Sequence, residues 1–248
     1  MSDTPRLDHV AIGLPRASDA MPWLVGELGG TPYAAGPGLG FRFWQLAFER
    51  GGLIEVLEPD GPPDGFLQRF LAARGPGIHH VTFKVPDLRA SSEHAASLGY
   101  PVMGMSELHP AWKEAFLHPK LAQGIVVQLA ESHPELEPED WTSPTFPPAP
   151  EPAPERADVR GIRLRAASEA QARRLWQELL GGQCDAGEHA LVFHWPESPL
   201  AITVEIDADA APGPLGIEIA TARVLRFADT DRHALGTRWL QGSGARQP

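Results

Sequence analysis

The apolar and polar positions of this chain follow a pattern that occurs twice in its first half. LDHVAIGLP at 7–15 and IHHVTFKVP at 78–86 share an apolar residue, a polar residue, His and Val, followed by alternation that ends in Pro, and both precede a helix candidate. GGLIEVLE at 51–58 and QGIVVQLAE at 123–131 also match, each with a glycine followed by an apolar run that contains one polar residue. Alternation predicts strands, and a spacing of three or four predicts helices. We therefore predict two copies of one unit, ordered strand, helix, then two or three strands.

The elements of these copies follow from the same pattern. The first copy is predicted to have strands at 7–13, about 41–49 and 52–58 and a helix at 17–29. The second is predicted to have strands at 78–85, about 101–105, 113–118 and 124–130 and a helix at 87–98. A short amphipathic helix at 63–73 joins the two copies.

The C-terminal third follows the same plan without its histidines. A strand at 161–166 is followed by a helix with Ser168 as N-cap, and then by strands at about 190–195 and 200–206. Glu205 stands in the place of Glu55, and a strand-like stretch at 213–227 opens a fourth unit that is cut short. We predict a degenerate third module and a partial fourth.

Proline usage divides the chain. Eight of the 26 prolines lie between 134 and 154, interleaved with glutamate, and such a stretch favours extended linker conformations. The predicted organisation is a paired-module domain at 1–131, a Pro/Glu-rich linker at 132–158, degenerate modules at 159–240 and a polar tail at 241–248. Trp141 and Phe146 are expected to anchor the linker on one of the domains.

Charge and cysteine content exclude several classes of function. A formal net charge of −11 opposes binding to nucleic acid or to anionic lipid, and no apolar run is long enough to span a bilayer. The single cysteine, Cys184, cannot form an internal disulfide, and the N-terminus has no apolar signal-peptide segment. We predict a cytoplasmic protein with a small-molecule substrate and with no nucleic-acid or membrane partner.

The repeat brings four polar residues into matching positions. His9 pairs with His80, and Glu55 pairs with Gln128. If the two copies associate about a pseudo-twofold axis, their equivalent inward positions converge on one cluster. Imidazole nitrogens together with carboxylate and amide oxygens suit Zn, Fe(II), Mn, Ni or Co. The sequence therefore predicts a divalent-metal site at these four residues, with His80 selected over the adjacent His79 by its alignment with His9.

The chain resembles the vicinal oxygen chelate superfamily, which includes glyoxalases, methylmalonyl-CoA epimerases and extradiol dioxygenases. The resemblance lies in LDHVAIGLP, LIEVLEP, GPGIHHVTFKVPDL and EAFLHPKLAQGIVVQLAE, covers about half the chain and is nearest to the epimerases. It implies an α+β fold of tandem βαβββ modules, with paired modules forming a curved mixed sheet around a metal cavity. It also implies His9, Glu55, His80 and Gln128 as the metal ligands.

Two departures from the epimerases bear on the reaction. Gly38-Leu39-Gly40 stands where the epimerases carry a glutamate that is a proposed base, and Gln128 stands where they generally have a glutamate. An amide cannot accept a proton, so among the four predicted ligands only Glu55 could leave the metal and act as a base, and we predict Glu55 as the catalytic residue.

The predicted function is metal-dependent isomerisation, epimerisation or lyase chemistry on a small carbonyl or thioester substrate through an enediolate or enolate. Two alternatives stay open: a non-haem Fe(II) extradiol-type dioxygenase, if Gln128 does not bind the metal, and a non-catalytic small-molecule-binding protein. The sequence also leaves a homodimer open. Phe41, Phe43 and Trp44 are interpreted as core residues that adjoin the cavity, and Lys113 and Glu114 as solvent-facing residues.

Overall fold

Fifteen strands in two sheets form the framework of the residues that the structure, a computed structural model, describes: 4–137, 143–188, 190–227 and 232–242. The strands are β1 (Arg6–Gly13), β2 (Thr31–Gly38), β3 (Phe41–Ala47), β4 (Leu53–Pro59), β5 (Gly77–Lys84), β6 (Val102–His109), β7 (Trp112–Leu117), β8 (Val126–Ser132), β9 (Asp158–Ala166), β10 (Gln183–Ala186), β11 (Ala190–His194), β12 (Ala201–Ile206), β13 (Gly213–Ala220), β14 (His233–Ala234) and β15 (Thr237–Gly242).

The helices are short. They are α1 (Phe66–Arg74), α2 (Leu88–Ser97) and α3 (Glu169–Arg173), with 3-10 turns at Ala17–Ala20 and Pro134–Leu136 and π-helical turns at Pro22–Glu27 and Arg174–Leu179. The predicted helix at 17–29 is thus two short helical turns, because Pro22 lacks the N–H donor of a continuous α-helix. Ser168 is the predicted N-cap of α3, and its side chain accepts a hydrogen bond from the backbone N–H of Gln171.

The strand order places the two repeats in one sheet. The first sheet runs β2-β3-β4-β1-β5-β8-β7-β6, so β1 and β5, the first strands of the two copies, are neighbours at its centre. The second sheet runs β10-β11-β12-β9-β13-β15-β14. The predicted α+β fold of tandem βαβββ modules is confirmed, with the third module and a shorter fourth in the second sheet.

The sequence pattern misses or shortens strands at the sheet edges. It predicts neither β2, β10 nor the last two strands, and it ends β6 four residues early. β2 contains Pro32 and Pro37, which an edge strand tolerates because its outer backbone needs no partner. The strand-like stretch predicted at 213–227 is shorter in the structure, where β13 ends at Ala220.

Residue contacts divide the chain into two units, and the division passes through β1, β5, β9 and β13. Residues 1–9, 80–141 and 162–215 form the first unit, and residues 10–79, 142–161 and 216–248 form the second. In the first unit, Phe83 packs against Trp176 and Trp195, with ring centroids 6.2 Å and 4.8 Å away. In the second unit, Trp23 packs against Phe227 and Trp239 at 4.8 Å and 5.5 Å. The boundaries predicted at 131, 158 and 240 separate domains and linker by their order along the chain, not by residue contacts. They stay a prediction.

The proline-rich segment lies against the first repeat in the second unit. The backbone N–H of Ala157 donates to the Leu28 carbonyl at 2.8 Å, and the Trp44 indole N–H donates to the Thr145 carbonyl at 3.2 Å. Phe146 is half-buried, whereas Trp141 lies outside the described residues. Backbone hydrogen bonds therefore hold this segment in place. Among the described residues, no helix is both long enough and apolar enough to cross a bilayer.

Candidate metal centre

Four neighbouring strands of the first sheet each carry one predicted ligand. In the order β4-β1-β5-β8 these are Glu55, His9, His80 and Gln128. The two histidines are each the fourth residue of their strand, and Glu55 and Gln128 are each the third. All four are buried, with between 1% and 7% of each residue exposed. The repeat in the sequence is therefore also a repeat in three dimensions.

His9 is oriented by the residue before it. Its Nδ1 lies 2.9 Å from Asp8 Oδ2, and Lys84 Nζ lies 3.2 Å from the other oxygen of Asp8. Burial by itself raises the pKa of the Asp8 carboxyl, but the hydrogen bond to His9 and the charge and hydrogen bond of Lys84 outweigh it and hold the pKa well below its usual range. An ionised carboxylate only accepts, so Nδ1 carries the proton and Nε2 is the predicted ligand atom.

Glu55 is held from the neighbouring strand β3. Gln45 is its direct cross-strand partner, and the Gln45 side-chain amide donates to Glu55 Oε2 at 2.8 Å. Both side chains are buried, and a buried carboxylate is stable only when its charge is compensated. Gln45 provides part of that compensation and fixes the direction of the carboxylate.

Gln128 is held by two neighbours in the second repeat. Its Oε1 accepts a hydrogen bond from the Thr82 hydroxyl at 2.5 Å, and its Nε2 donates to Glu114 Oε2 at 2.6 Å. Glu114 also accepts from the Trp112 indole at 3.2 Å. Glu114, interpreted from the sequence as solvated rather than catalytic, is half-buried, because its position on β7 is diagonal to Gln128 on β8. Lys113 on the same strand is also half-buried and donates to Glu131 at 2.6 Å.

The donor set fits a divalent cation. The candidate ligand atoms of His9, Glu55 and His80 all lie within 4.8 Å of one another. Thr82 Oγ1 lies 2.9 Å from His9 Nε2, but its single hydroxyl proton serves one acceptor and Gln128 is the closer. A cation held by these atoms would accept the Nε2 lone pair of His9 and would carry charge opposite to that of the Glu55 carboxylate. Two imidazoles and a carboxylate suit Zn, Fe(II), Mn, Ni or Co.

His79 lies outside this cluster. Its ring packs against Phe70 and Phe66, with centroids 4.8 Å and 5.6 Å away. Burial lowers the pKa of the His79 imidazole to about 4, against the opposing charge of Glu55, so the ring is neutral near pH 7. Its surroundings are those of a packed aromatic ring, whereas the ring of His80 lies 5.9 Å from that of His9.

The first repeat has an apolar surface beside its ligands. Ala11 and Leu57, each two residues after a ligand on the same strand, pack with Leu67 of α1, and the half-buried Phe41 and Phe43 lie against them. Strand geometry places residues i and i+2 on one face, so this surface continues the ligand-bearing face. Trp44, in contrast, is buried and bonds to the proline-rich segment.

The ring of Phe41 lies against Gly38, the first residue of the Gly38-Leu39-Gly40 stretch where the resemblance to the epimerases implies that a glutamate base is missing. A side chain placed on Gly38 would collide with the ring of Phe41 across the β2–β3 turn. As the Phe41 ring is placed, it leaves no room for a glutamate side chain at position 38. Leu39, in the same turn, is almost fully exposed.

Sequence reasoning missed the residues that support the ligands: Asp8, Gln45, Thr82 and Glu114. Thr82 carries a signal, since it lies two residues after His80 and is the one hydroxyl in IHHVTFKV. Gln45 is similarly the single amide in FRFWQLAF. Their partners depend on strand register, which the pattern of one strand does not contain.

This paired-repeat sheet, with the buried predicted ligands on its central strands, is typical of one class of protein. The family model described as Glyoxalase/Bleomycin resistance protein/Dioxygenase superfamily matches residues 8–116. The ethylmalonyl-CoA/methylmalonyl-CoA epimerase of Cereibacter sphaeroides is 31% identical over 133 residues, which are 51% of this chain and 97% of the relative. The chain belongs to the glyoxalase/bleomycin resistance protein/dioxygenase superfamily.

Solved structures are also similar to this chain. Methylmalonyl-CoA epimerase from Mycobacterium tuberculosis is 28% identical, with a TM-score of 0.48, over 53% of this chain and 90% of that chain. A variant of 4-hydroxymandelate synthase from Streptomyces coelicolor is 13% identical, with a TM-score of 0.56, over 89% of this chain and 72% of that chain. The second comparison extends the likeness in fold into the C-terminal modules.

Proposed function

We propose that this protein is a divalent-metal-dependent enzyme that moves a proton at the carbon next to a carbonyl or thioester group of a small substrate. The single observation that carries the proposal is the buried set of His9, Glu55 and His80, whose ligand atoms lie within 4.8 Å of one another. The proposed ligands are these three residues and Gln128. The similarity to the Cereibacter sphaeroides epimerase supports the reaction class.

A bound divalent ion would supply a Lewis acid that lowers the pKa of the carbon acid next to the carbonyl. The chain would contribute the rest of the chemistry. His9 and His80 would present neutral imidazole nitrogens, and Asp8 keeps His9 in the tautomer that can do so. The burial of these side chains excludes water and strengthens each electrostatic interaction among them.

Glu55 is the proposed proton acceptor. Gln45 donates to one carboxylate oxygen, so the other would leave the metal to take a proton from the substrate carbon. Gln128 is an amide and cannot take this role. In an isomerisation the same Glu55 would return the proton to a neighbouring atom, whereas an epimerisation would need the proton delivered to the opposite face of the carbon, by a second group or after the substrate turns.

The first experiment measures metal content and proton exchange. Elemental analysis of the purified protein should find about one divalent ion per chain, and exhaustive dialysis against a chelator should remove it. Methylmalonyl-CoA and ethylmalonyl-CoA, the substrates in the relative's name, should then be incubated in D₂O. Deuterium incorporation next to the thioester that disappears with chelator and returns with one preferred ion supports the proposal. Ligand binding that is unaffected by chelator would indicate a non-catalytic binding protein instead.

A second candidate, an Fe(II) dioxygenase, is favoured by one observation. The hydrogen bonds of Gln128 to Thr82 and Glu114 engage both ends of its amide. If Gln128 stays off the metal, the remaining ligands are two histidines and one carboxylate, the set used by non-haem Fe(II) oxygenases. Oxygen consumption by the Fe(II)-loaded protein with a catechol, without deuterium incorporation in D₂O, would favour this candidate over the isomerase.

A further inference from the structure

Each repeat pairs one acid with one amide, but in opposite order. In the first repeat the predicted ligand Glu55 is the acid, and Gln45 on the next strand donates to it at 2.8 Å. In the second repeat the predicted ligand Gln128 is the amide, and it donates to Glu114 on the next strand at 2.6 Å. The carboxylate of the second repeat therefore lies one strand farther from the sheet centre than that of the first.

The contact with Glu114 determines which way the Gln128 amide points. An ionised carboxylate has no proton to donate, so the group that faces it must be the amide NH₂. Because the amide is planar, its oxygen then points away from Glu114, toward the Thr82 hydroxyl at 2.5 Å. The oxygen of that hydroxyl lies 2.9 Å from Nε2 of His9, which places the amide oxygen on the side of the predicted ligand atoms.

We propose that Glu114 is a positioning residue that holds the Gln128 amide with its oxygen toward the metal centre. This inference rests on the proposed metal site. Glu114 itself touches neither the metal nor the substrate in this arrangement, and it acts through Gln128. The Trp112 indole, which donates to the same Glu114 oxygen at 3.2 Å, keeps the carboxylate in place.

The pairing also explains why position 128 is an amide. A glutamate at 128 would place two carboxylates against each other across a contact that now measures 2.6 Å. Like charges at that distance are unfavourable in a half-buried site. Gln128 and Glu114 are therefore a matched pair, and neither can change alone without loss.

The test is an exchange of the acid and the amide. Glu114→Gln, Gln128→Glu and the double variant are compared with the unaltered protein, and Glu93→Gln on the exposed side of α2 is the matched control. Co²⁺ is the probe, titrated into chelator-treated full-length protein and followed by its visible absorption. Thermal unfolding of the same proteins in chelator reports the pairing without any metal.

Glu114→Gln should weaken Co²⁺ binding by about tenfold to 100-fold and alter the visible spectrum of the bound ion, since it removes the group that orients the ligand. Gln128→Glu should lower the Tm in chelator, since it creates the contact between two carboxylates. The double variant, in which the amide at 114 would donate to the acid at 128 as Gln45 does to Glu55, should recover both the Tm and Co²⁺ binding. The control variant should match the unaltered protein.

Two results separate the inference from the proposed function. Co²⁺ affinity and spectrum that are insensitive to Glu114→Gln, or a Tm that the double variant does not recover, would overturn the inference alone. Failure of the unaltered protein to bind Co²⁺ would overturn the proposed metal site, and the positioning role with it.

Discussion

In the first repeat, Glu58 accepts a hydrogen bond from the backbone N–H that begins a helical turn and another from Arg42 at 2.8 Å. In the second repeat, Glu131 does the same, with Lys113 in place of Arg42 at 2.6 Å. Each basic residue is the direct cross-strand partner of its glutamate. The two repeats therefore keep the same acid–base pair to attach a helical segment to the sheet.

The ligand-bearing face differs between the repeats. Two residues after its histidine, the first repeat has Ala11, which packs in an apolar cluster, whereas the second has Thr82, which bonds to Gln128. The first repeat holds an acid at the ligand position and the second an amide. The two repeats therefore keep the residues that join a helical segment to the sheet, while the residues beside the predicted ligands differ.

The largest expected effect is a loss of metal affinity when the negative charge of Glu55, the one acid among the four predicted ligands, is removed. Glu55→Gln would give both repeats an amide at this position. We expect divalent-metal affinity to fall about 100-fold or more, which is a larger loss than that expected when a residue that only supports a ligand is removed. Metal titration and elemental analysis measure it. Gln128→Ala is the matched variant in the second repeat and should lose less. Equal losses from the two variants would show that the repeats contribute alike.

The next effect concerns the apolar surface of the first repeat. Leu67 is fully buried against Ala11 and Leu57, so Leu67→Ala removes packing and leaves a cavity. We expect the free energy of unfolding to fall by about 2–5 kcal/mol in urea denaturation. Leu39→Ala, at a residue that is 88% exposed, should change it by less than about 0.5 kcal/mol. A similar loss in both variants would mean that α1 does not pack on the sheet as described.

A smaller effect follows from making the two repeats alike at one position. Thr82→Ala should cost about 1–3 kcal/mol of unfolding free energy, because it removes a buried hydroxyl that bonds to Gln128. Ala11→Thr should cost a similar amount for the opposite reason, since it places a hydroxyl among Leu57 and Leu67. Thr82→Ser keeps the hydroxyl and should lose less than Thr82→Ala. If the serine and alanine variants unfold alike, the hydroxyl has no role.

The smallest effect is a pH dependence of the unfolding free energy at Glu131, one of the two glutamates that attach a helical segment to the sheet. Burial raises the pKa of Glu131, but hydrogen bonds from Lys113, the Leu88 N–H and His133 outweigh it and lower the pKa from its ordinary 4.5 to about 2. The unfolded chain therefore takes up this proton first, so the stabilisation is present above pH 4.5 and is lost as the pH falls toward 2. Urea unfolding should show Glu131→Gln less stable than the unaltered protein above pH 4.5, with the difference shrinking toward pH 2. A difference that stays constant with pH would contradict the lowered pKa.

The sequence predicts the repeat unit and the central strands because these carry strong alternation. The first strands of the two copies, the ligand positions within them and the Ser168 N-cap all follow from local spacing. Edge strands are predicted poorly. β2 contains Pro32 and Pro37, and β10 is mostly exposed, so neither sequence shows the alternation of apolar and polar residues that predicts a strand with one buried face.

The sequence by itself determined that His9 and His80 occupy equivalent positions, as do Glu55 and Gln128, because side-chain direction in a strand depends only on position along it. Only the tertiary structure decided which residues support them. Glu114 becomes the partner of Gln128 through the register of β7 against β8, and Thr82 through the register of β5 against β8. Register is a relation between two strands far apart in the chain, and the hydrophobic pattern of either strand alone does not specify it.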